Sequence, residues 1–469
     1  MEKELDYPRY VSIQTTSLCN ASCIFCPYPE IKRLFPHKVM EDKLFKKIIN
    51  DCSNNPYLQF INLFMNNEPL TDPRIVERIN YVKKIIPQTY VNIYTNGLLL
   101  TAKTGDRLMK SKFDWISISF HGIRKETIEK TMGIPYDTAL HRISAFIKNV
   151  KKEKVYVKEF VGINFLKHEN LTDEEIEEAI SYWKSLGIGH IAYYPGPISR
   201  AGNVTNLRKT HSKAKILGCS SVLEDEMIHI LEDGKVTLCC MDWRREVILG
   251  DLNNQSIHEI WKGKRKEVWE MIQGRAEIPE DFLCRRCEEA IVGRDENDTS
   301  EKLDILLVHL PPWPPKTTPS FLLSLASSLE ASKIKAKALD LNLLIYEGIT
   351  KSRKFLWTQE NFKRWRYKEN YKRLVEKEGL RESINNCIKR LVTVNTQVMF
   401  FSINEDNMRF ASDIAIKLKK CLPELTVVFG APDVSLKQKR KVAPRKIVDF
   451  YVYGEDASPI LEILKDRKD

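Results

Sequence analysis

The stretch Tyr10-Val-Ser-Ile-Gln-Thr-Thr-Ser-Leu-Cys19-Asn-Ala-Ser-Cys23-Ile-Phe-Cys26 joins an apolar strand pattern, Tyr10–Thr15, to three closely spaced cysteines. Three thiolates on one loop suit three irons of a [4Fe–4S] cube, which normally takes four cysteines, so that one iron stays open. A catalytic metal site keeps such an open position for a chelating substrate. The alternative is three buried cysteines that pack as small hydrophobic side chains. A cysteine loop directly after a strand favours the cluster.

Short apolar runs alternate with helical patterns through residues 1–200. A strand followed by a helix, repeated about six times, predicts a parallel α/β barrel or open sheet. In such sheets the chemistry gathers at the carboxyl ends of the strands. The predicted strands are Tyr10–Thr15, Phe60–Met65, Tyr90–Thr95, Trp115–Phe120, Val155–Asn164 and His190–Tyr194, and the predicted helices are Asp42–Asp51, Pro73–Ile86, Thr138–Lys151 and Asp173–Leu186.

The cysteine trio, with the aromatic Phe25 before its last cysteine, resembles the signature of the radical S-adenosylmethionine (SAM) enzymes. The resemblance implies a partial (β/α)6 barrel whose three cysteines hold the cluster and whose polar strand ends hold SAM. The two asparagines of Asn66-Asn67-Glu68-Pro69 replace the glycines of the family's Gly-Gly-Glu-Pro-like segment, which holds the SAM amino group. The alternative for these polar residues is strand-end capping or turn chemistry. The residues that the resemblance assigns to SAM are Asn66, Asn67, Glu68, Pro69, Asn96, Ser117 and Ser119.

Arg200 follows the last predicted barrel strand, in Ser199-Arg200-Ala201-Gly202. A guanidinium there is a candidate to meet a carboxylate or phosphate of SAM or of the substrate. The alternative is a surface turn.

The chemistry that the resemblance implies begins with SAM bound to the open iron. The reduced cluster donates an electron, the sulfonium breaks, and a 5′-deoxyadenosyl radical abstracts a hydrogen atom from the substrate. The cofactor carries the difficult chemistry, while the barrel positions atoms and excludes water. We expect the reductant to be a ferredoxin or a flavodoxin.

Five further cysteines lie within residues 201–300. A hairpin pattern, Met227–Leu231 and Lys235–Cys239, turns at Asp233-Gly234, and a helix is predicted at Ser256–Gln273. The order of a cysteine, then Gly-x4-Cys, then a closing C-x2-C resembles the auxiliary-cluster extension of radical SAM enzymes in its short (twitch) or long (SPASM) form. It implies one auxiliary [4Fe–4S] cluster, and structural zinc is the rival because C-x2-C pairs also suit zinc. The predicted ligands are Cys219, Cys239, Cys284 and Cys287.

Cys240 directly follows one of these ligands. Neighbouring side chains of a strand point to opposite faces, so Cys239 and Cys240 are not expected to face one cluster together, and either is a candidate ligand. The remaining thiol is a candidate hydrogen-atom donor to a substrate radical, as an epimerase needs. The alternative, which we favour, is a buried cysteine without a chemical role.

Residues 301–469 return to an α/β pattern and predict a Rossmann-like doubly wound sheet with a basic helical insertion near 350–391. The predicted strands are Leu303–Leu310, Lys335–Asp340, Val398–Ser402, Leu425–Phe429 and Phe450–Tyr453, and the predicted helices are Phe321–Ser332 and Met408–Leu422.

Three segments of this region, Ile305–Pro312, Val427–Pro432 and Val448–Glu455, resemble the cobalamin-binding domain that accompanies one class of radical SAM enzymes. The resemblance implies cobalamin contacts at Gly430 and Gly454. The sequence departs from that family where Ala431 and Asp433 replace a glycine and a histidine, and it lacks the Asp-x-His-x-x-Gly motif. The alternative is a Rossmann-like module that serves packing or partners.

The composition of the 469-residue chain, 43% hydrophobic and 29% charged, is that of a globular protein and excludes disorder and collagen-like repeats. No apolar run approaches the roughly 18 residues that span a bilayer, and the first residues carry no secretory pattern. We therefore expect a cytoplasmic location and no membrane partner. Most of the formal charge of +11 lies in the last third, notably in Lys351–Arg373 and Lys437–Lys446. We favour a solvated helix face and a basic loop over nucleic-acid binding.

These patterns predict a radical SAM core at residues 1–200, an auxiliary iron–sulfur extension at 201–300 and a cobalamin-binding-like domain at 301–469. The predicted reaction is epimerisation or oxidation of a sugar, amine or peptide carbon in a small-molecule or peptide substrate. One alternative is cobalamin-dependent methylation. Another, from a different class, is a zinc-bound scaffold or nucleic-acid-binding protein.

Overall fold

The computed structural model describes residues 5–153, 157–194, 198–204, 207, 214–221, 224–294, 301–315, 320–349, 351–377, 380–432, 447–454 and 456–465. Asp433, Lys437–Lys446, Glu455 and the predicted linker beyond Arg294 lie outside these residues. Contacts divide the chain into two units. The N-terminal unit comprises Met1–His211, Ser221–Met271 and Glu277–Glu289, and the C-terminal unit comprises Ser212–Ser220, Ile272–Ala276 and Ala290–Asp469.

Strands and helices alternate through most of the described chain. The strands are β1 Tyr10–Ile13, β2 Phe60–Asn62, β3 Tyr90–Thr95, β4 Trp115–Ser119, β5 Val161–Leu166, β6 His190–Tyr194, β7 Ile216–Cys219, β8 Met227–Ile230, β9 Lys235–Thr237, β10 Ile248–Asp251, β11 Ala290–Val292, β12 Ile305–His309, β13 Ala336–Asp340, β14 Val398–Ser402, β15 Thr426–Ala431 and β16 Phe450–Tyr453.

The helices range from single turns to the long α6, and none of the described ones is long and apolar enough to cross a membrane. They are α1 Tyr28–Ile31, α2 Asp42–Cys52, α3 Ile75–Ile85, α4 Ala102–Met109, α5 Lys125–Met132, α6 Tyr136–Lys152, α7 Val157–Phe160, α8 Asp173–Ser185, α9 Ile257–Lys262, α10 Lys264–Ile272, α11 Ser320–Ala331, α12 Leu341–Gly348, α13 Lys363–Arg366, α14 Lys368–Lys377, α15 Leu380–Leu391, α16 Met408–Cys421 and α17 Ser458–Lys465. Short 3-10 turns lie at Pro69–Thr71, Leu283–Arg286, Lys351–Trp357 and Gln359–Asn361.

The N-terminal unit is built on one nine-stranded sheet in the order β10-β9-β8-β1-β2-β3-β4-β5-β6. Strands β1 to β6 pair in parallel, each with the next, which confirms the predicted α/β architecture. Their carboxyl ends therefore meet at one edge, where such sheets carry their chemistry. One face of the strands is apolar, as in β5, where Val161, Ile163 and Phe165 are fully buried and alternate with Gly162 and Asn164 on the other face.

The predicted hairpin is confirmed, and it also extends this sheet. β8 and β9 pair antiparallel around a turn in which Gly234 has a φ of +88°, and β10 pairs with β9. β8 lies beside β1 in parallel, with Tyr10 opposite Met227. The loop after β9, which carries two cysteines, is thereby brought to the same sheet as the first cysteine loop.

Two sequence predictions differ from the structure. The predicted strand Val155–Asn164 contains the helical turn α7 before β5, because a short apolar run does not by itself distinguish helix from strand. The predicted helix Ser256–Gln273 is two helices, α9 and α10, since the chain leaves helical geometry at Gly263, with φ −91° and ψ −120°.

The C-terminal unit contains a five-stranded parallel sheet in the order β13-β12-β14-β15-β16. Numbered from the first strand, this is the doubly wound order 2-1-3-4-5, which confirms the predicted Rossmann-like fold. Alternate side chains of β12 enter two apolar clusters: Leu306 and Val308 in one, Ile305 and Leu307 in the other. Helices cover both faces, and the basic insertion buries Trp357 and Trp365 on one of them.

A two-stranded antiparallel sheet, β7 with β11, also belongs to the C-terminal unit, and Cys219 lies opposite Ala290 in it. The prediction of three domains at 1–200, 201–300 and 301–469 stays a prediction.

Candidate active site

The first cysteine loop is fixed by backbone hydrogen bonds to the end of α5. The Ser22 and Ile24 amides donate to the carbonyls of Met132 and Thr131, both at 2.9 Å. The helix ends at Gly133 in the left-handed conformation, with φ 62°, and a Cβ there would lie 3.1 Å from the Cβ of Ser22. Glycine therefore permits the close approach of the loop to this helix end.

The three cysteines of this loop are half-buried and close enough for the charge of one to influence the ionisation of another. Burial raises the pKa of the Cys19 thiol to about 12, and the negative charges of Glu68 and Cys26 raise it further. Burial also raises the pKa of Cys23, as do the neighbouring Cys26 and Cys19. Three thiolates held this closely need a positive partner, and a bound cluster would provide one. The residues present therefore fit an iron–sulfur cluster.

No three His, Cys, Asp or Glu side chains in the described ranges are arranged as the ligands of a single metal ion. The cysteines of a cluster bind separate irons, so they stand further apart than the ligands of one ion.

Glu68 forms hydrogen bonds that connect the loops after β1, β2 and β3. Its amide donates to the carbonyl of Leu18 at 2.8 Å. Its carboxylate accepts hydrogen bonds from the Thr95 hydroxyl at 2.7 Å, the Asn96 amide at 2.7 Å and the Leu70 amide at 3.0 Å. The side chain is only 2% exposed, and burial raises its pKa to about 7. Its carboxylate thus has protein partners, and the predicted contact of Glu68 with the SAM amino group stays a prediction.

Asn96 connects the third of these loops to the cysteine loop. Its Nδ2 donates to Oδ1 of Asn20 at 2.7 Å, and its Oδ1 accepts from the Leu98 amide at 3.0 Å. Asn20, between the first two cysteines, is a residue that the sequence analysis missed. Its position inside the cysteine motif was the available signal.

Asn67 is compatible with the turn in which the family has a glycine. Its Oδ1 accepts from the Met65 amide at 2.9 Å, so the side chain closes the turn on its own backbone. The Nδ2 atoms of Asn67 and Asn20 are buried and have no hydrogen-bond partner among the described residues. Pro69 begins the 3-10 turn after Glu68. Two unpaired buried donors beside the cysteine loop fit a ligand with acceptor oxygens, as SAM has.

Ser117 and Ser119 lie on β4, and Ser117 is engaged by the neighbouring strand. Its Oγ accepts from Asn164 Nδ2 at 2.9 Å, and the residue is 4% exposed. Ser119 is half-buried at the end of β4 and opposite Asn164 in the strand register. Their predicted contacts with SAM stay predictions.

Two histidines that the sequence analysis missed surround Phe25. The ring of His121 meets Phe25 edge-on at 4.9 Å between centroids, and that of His168 stacks on it at 5.8 Å. Burial, with the nearby charges of His168 and Arg200, lowers the pKa of His121 to about 3, so this ring is neutral. The sequence feature that could have identified His121 is its position two residues after β4.

Arg200 lies near both cysteine sets. Its positive charge lowers the pKa of Cys26 in the first set and of Cys240 in the second, against the larger effect of burial, which raises both. Its Nη1 is 3.9 Å from Met241 Sδ, and its backbone is left-handed, with φ 53°. A non-glycine residue in this conformation is strained, which is commonest at functional sites.

The second set brings Cys239, Cys284 and Cys287 together within the N-terminal unit. Burial raises the pKa of the Cys239 thiol, and the charges of Glu224 and the neighbouring cysteines raise it further. Burial raises the pKa of the Cys284 thiol, and the negative charge of Cys287 raises it further. Cys219 lies on β7 in the C-terminal unit, and its role as a ligand stays a prediction.

Cys240 has a different environment from Cys239. β9 ends at Thr237, so the two cysteines occupy a turn and not a strand, and the predicted reason for their opposite orientation does not apply. Cys240 Sγ donates to Glu224 Oε1 at 3.5 Å, and Glu224 Oε2 pairs with His229 Nε2 at 2.7 Å. Burial opposes ionisation of Glu224, but His229, Cys240 and Arg265 together lower its pKa. Cys240 is thus held by a buried carboxylate.

Comparison with known proteins agrees with this arrangement. Residues 13–183 match the model of the Radical SAM superfamily, and residues 219–288 match that of SPASM, an iron–sulfur cluster-binding domain. The S-adenosyl-L-methionine-dependent 2-deoxy-scyllo-inosamine dehydrogenase of Niallia circulans is 21% identical over 286 residues, which span 61% of this chain and 95% of that protein. The PqqA peptide cyclase of Granulibacter bethesdensis is 28% identical over 131 residues, 28% of this chain and 33% of the cyclase.

Solved structures are similar over about three-fifths of the chain. BtrN in complex with AdoMet and 2-DOIA has a TM-score of 0.39 and 18% identity, over 62% of this chain and 96% of BtrN. Streptococcus suis SuiB bound to the precursor peptide SuiA has a TM-score of 0.46 and 14% identity, over 60% of this chain and 70% of SuiB.

The chain is an enzyme that carries a radical SAM domain on a parallel α/β sheet. More particularly, an iron–sulfur cluster-binding SPASM domain follows that core, so the cofactors are a [4Fe–4S] cluster with SAM and an auxiliary iron–sulfur cluster.

Proposed function

We propose that Cys19, Cys23 and Cys26 hold the [4Fe–4S] cluster that binds SAM, and that the enzyme oxidises or epimerises a carbon of a small molecule or peptide. The observation that carries the first part is the trio of half-buried cysteines on the loop after β1, of which Cys19 and Cys26 pack against the same apolar cluster. Hydrogen bonds of Glu68 and Asn96 join this loop to the two neighbouring strand ends.

The residues around the trio have different roles in binding SAM. When bound, the cluster supplies the electron that cleaves SAM and produces the 5′-deoxyadenosyl radical. Glu68 and Asn96 position the loops, while Asn20 and Asn67 provide buried Nδ2 donors for oxygens of SAM. Ser117, Ser119 and Arg200 are the further SAM contacts that we propose.

For the auxiliary cluster, which we propose to be [4Fe–4S], Cys239 is a better ligand than Cys240. Cys239 is influenced by both Cys284 and Cys287, whereas the Cys240 thiol is hydrogen-bonded to Glu224. Cys239, Cys284 and Cys287 make the proposed ligand set of the N-terminal unit, and Cys219 stays the fourth ligand predicted from the sequence.

Two reactions fit this arrangement. The similarity to a SAM-dependent dehydrogenase over 95% of that protein supports oxidation, in which the auxiliary cluster accepts an electron. The Cys240 thiol beside Glu224 supports epimerisation, in which a substrate radical receives a hydrogen atom from sulfur. An electron from the reductant and a proton from solvent would then restore the thiol. Solvent deuterium distinguishes them, because a thiol exchanges its hydrogen with D₂O and would deliver deuterium to the product. The reductant that we propose is a ferredoxin or flavodoxin.

Cobalamin binding by the C-terminal unit stays a prediction, and with it cobalamin-dependent methylation. The doubly wound sheet provides a carboxyl edge of the kind that binds ligands. Packing alone explains the glycine at position 430, however, because a Cβ on Gly430 would lie 1.8 Å from Cζ of Phe400. Gly454 has a φ of 99° after β16, and no atom lies within 4 Å of its added Cβ.

The test is SAM cleavage by the anaerobically reconstituted enzyme with a chemical reductant. We expect 5′-deoxyadenosine from the wild type and none from Cys19→Ala, Cys23→Ala or Cys26→Ala. Cys52→Ala is the matched control, since Cys52 is buried on α2 outside both sets, and it should retain cleavage. Cleavage that survives loss of the trio would overturn the assignment of these three ligands. Zinc in place of iron, with no cleavage in the wild type, would return the chain to the scaffold or nucleic-acid-binding alternative.

A further inference from the structure

A small, half-open pocket in the N-terminal unit adjoins the first cysteine set. Its wall includes Tyr28 and Trp243, which also pack against Cys19 and Cys26, and Asn66 from the loop after β2. The loop after β9, which carries the second cysteines, supplies Trp243 and Arg245. The pocket therefore lies beside the proposed SAM site and under the loop of the auxiliary set.

Arg245 is a rigidly held cation in this wall. Its Nη2 donates to Oε1 and Oε2 of Glu232 at 2.8 and 3.1 Å, and its guanidinium lies 4.1 Å from the ring centroid of Phe35. Its backbone is left-handed, with φ 57°, although it is not glycine. Such strain persists only where surrounding contacts impose it.

The ion pair extends to the proposed SAM-binding loop. Glu232 is 3% exposed and also accepts from Gln14 Nε2 at 2.7 Å, while Gln14 Oε1 accepts from the Asn66 amide at 3.2 Å. Gln14 and Glu232 are thus positioning residues that fix Arg245 relative to Asn66.

Arg245 keeps donors for a ligand. In the described part of the chain its Nε meets no acceptor, and its Nη1 has only Asp233 Oδ2, at 3.9 Å, which is beyond hydrogen-bond distance. Nε and Nη1 can each donate a hydrogen bond to an oxygen of a carboxylate or phosphate, while Nη2, which both forked edges of the guanidinium share, is bonded to Glu232.

The rest of the lining adds positive charge and a donor. Lys32 and His37 line the pocket, and their side chains form no ion pair or hydrogen bond with other described residues. The Nε1 of Trp243 is buried without a partner among these residues.

The carboxylate of the lining is already satisfied. Asp242 accepts hydrogen bonds from the Thr237 hydroxyl, the Val247 amide and the Glu246 amide at 2.7, 2.9 and 2.8 Å. It is 3% exposed. The lining groups left to meet an anion are therefore Arg245, Lys32, His37 and the Nε1 of Trp243.

We propose that this pocket binds an oxyanion, carboxylate or phosphate, carried by the substrate, with Arg245 as its main contact and Lys32 and His37 at its side. The inference rests on the proposed function, because it takes the pocket to hold the molecule that the radical attacks. It narrows the substrate to an anionic small molecule or to a peptide with an acidic side chain or free carboxylate.

The test is calorimetric titration of the reconstituted holoenzyme with inorganic phosphate, with glutarate and with neutral glutaramide. We expect either phosphate or glutarate to bind and glutaramide not to bind. Which of the two anions binds shows whether the pocket recognises a phosphate or a carboxylate. Arg245→Gln should weaken anion binding about tenfold or more, as loss of a charge-assisted hydrogen bond predicts. Arg107→Gln is the matched control, because Arg107 forms an exposed ion pair with Glu77 outside the pocket.

Arg245→Gln also leaves the buried Glu232 without its ion-pair partner. If this variant does not fold, a second variant tests the proposal. Lys32→Gln with His37→Gln changes two side chains without described partners and should weaken binding about threefold or more. Unchanged binding in this variant, or equal binding of glutarate and glutaramide, overturns the proposal.

Two further readouts separate the possible failures. If phosphate competes with SAM and Arg245→Gln raises the KM for SAM, the oxyanion is the methionine carboxylate of SAM, and the substrate proposal is wrong. Iron content and 5′-deoxyadenosine formation by the same wild-type sample report on the proposed function independently of anion binding.

Discussion

Gly430→Ala should destabilise the C-terminal unit through a collision with Phe400. The added Cβ would lie 1.8 Å from Cζ and 2.1 Å from Cε2 of that ring, whereas ordinary contact begins at 3.4 Å. Phe400 is fully buried on β14 within an apolar cluster, so the ring has little room to retreat. Overpacking of this kind costs about 2–3 kcal/mol.

Hydrogen exchange followed by mass spectrometry measures this cost locally, which matters in a chain of two units that need not unfold together. We expect the amides of β14 and β15 to exchange about thirtyfold faster or more, since each 1.4 kcal/mol is tenfold. Phe400→Leu in the Gly430→Ala background should recover part of the loss.

Gly348→Ala is the control for this variant, because nothing lies within 4 Å of its added Cβ and its φ is not positive. It should change local stability by less than about 0.5 kcal/mol. Wild-type exchange in Gly430→Ala, or no recovery with Phe400→Leu, would refute the packing explanation. A change confined to cobalamin binding would instead support the ligand role predicted from the sequence.

Four other substitutions test the active-site account. Cys239→Ala should cost the enzyme about four irons while Cys240→Ala keeps them, as iron analysis would show, and the reverse result would exchange the ligand assignment. Asn96→Ala removes the hydrogen bond to Asn20. It should raise the KM for SAM about five- to thirtyfold, corresponding to about 1–2 kcal/mol. An unchanged KM would show that this hydrogen bond does not contribute to SAM binding. Gly133→Ala should lower stability by about 1–2 kcal/mol in thermal unfolding, because its φ is 62°; unchanged stability would contradict the account of this helix end.

Much of the sheet was predictable from local patterns. The bounds of β3, β6, β14 and β16 agree with the predicted strands, because apolar runs bounded by turn residues identify buried parallel strands. The hairpin was predictable from Asp233-Gly234. Its place beside β1 was not, since that parallel pairing joins segments far apart in the chain and leaves no local signal.

The site shows the same limit. The sequence identifies Glu68 and Asn96 as polar residues at strand ends, but not that one accepts a hydrogen bond from the other. Gln14 was not singled out, because its role depends on Glu232, a residue from the hairpin. Motif spacing therefore predicts which residue types gather, while tertiary contacts decide which of them are left free for a ligand.

Iron and sulfide analysis of anaerobically purified wild type and of the variant with Cys19, Cys23 and Cys26 all changed to alanine tests the central claim most directly. Two [4Fe–4S] clusters predict about eight irons per chain, falling to about four in the variant. Equal iron in both proteins, or zinc without iron in the wild type, would contradict the account.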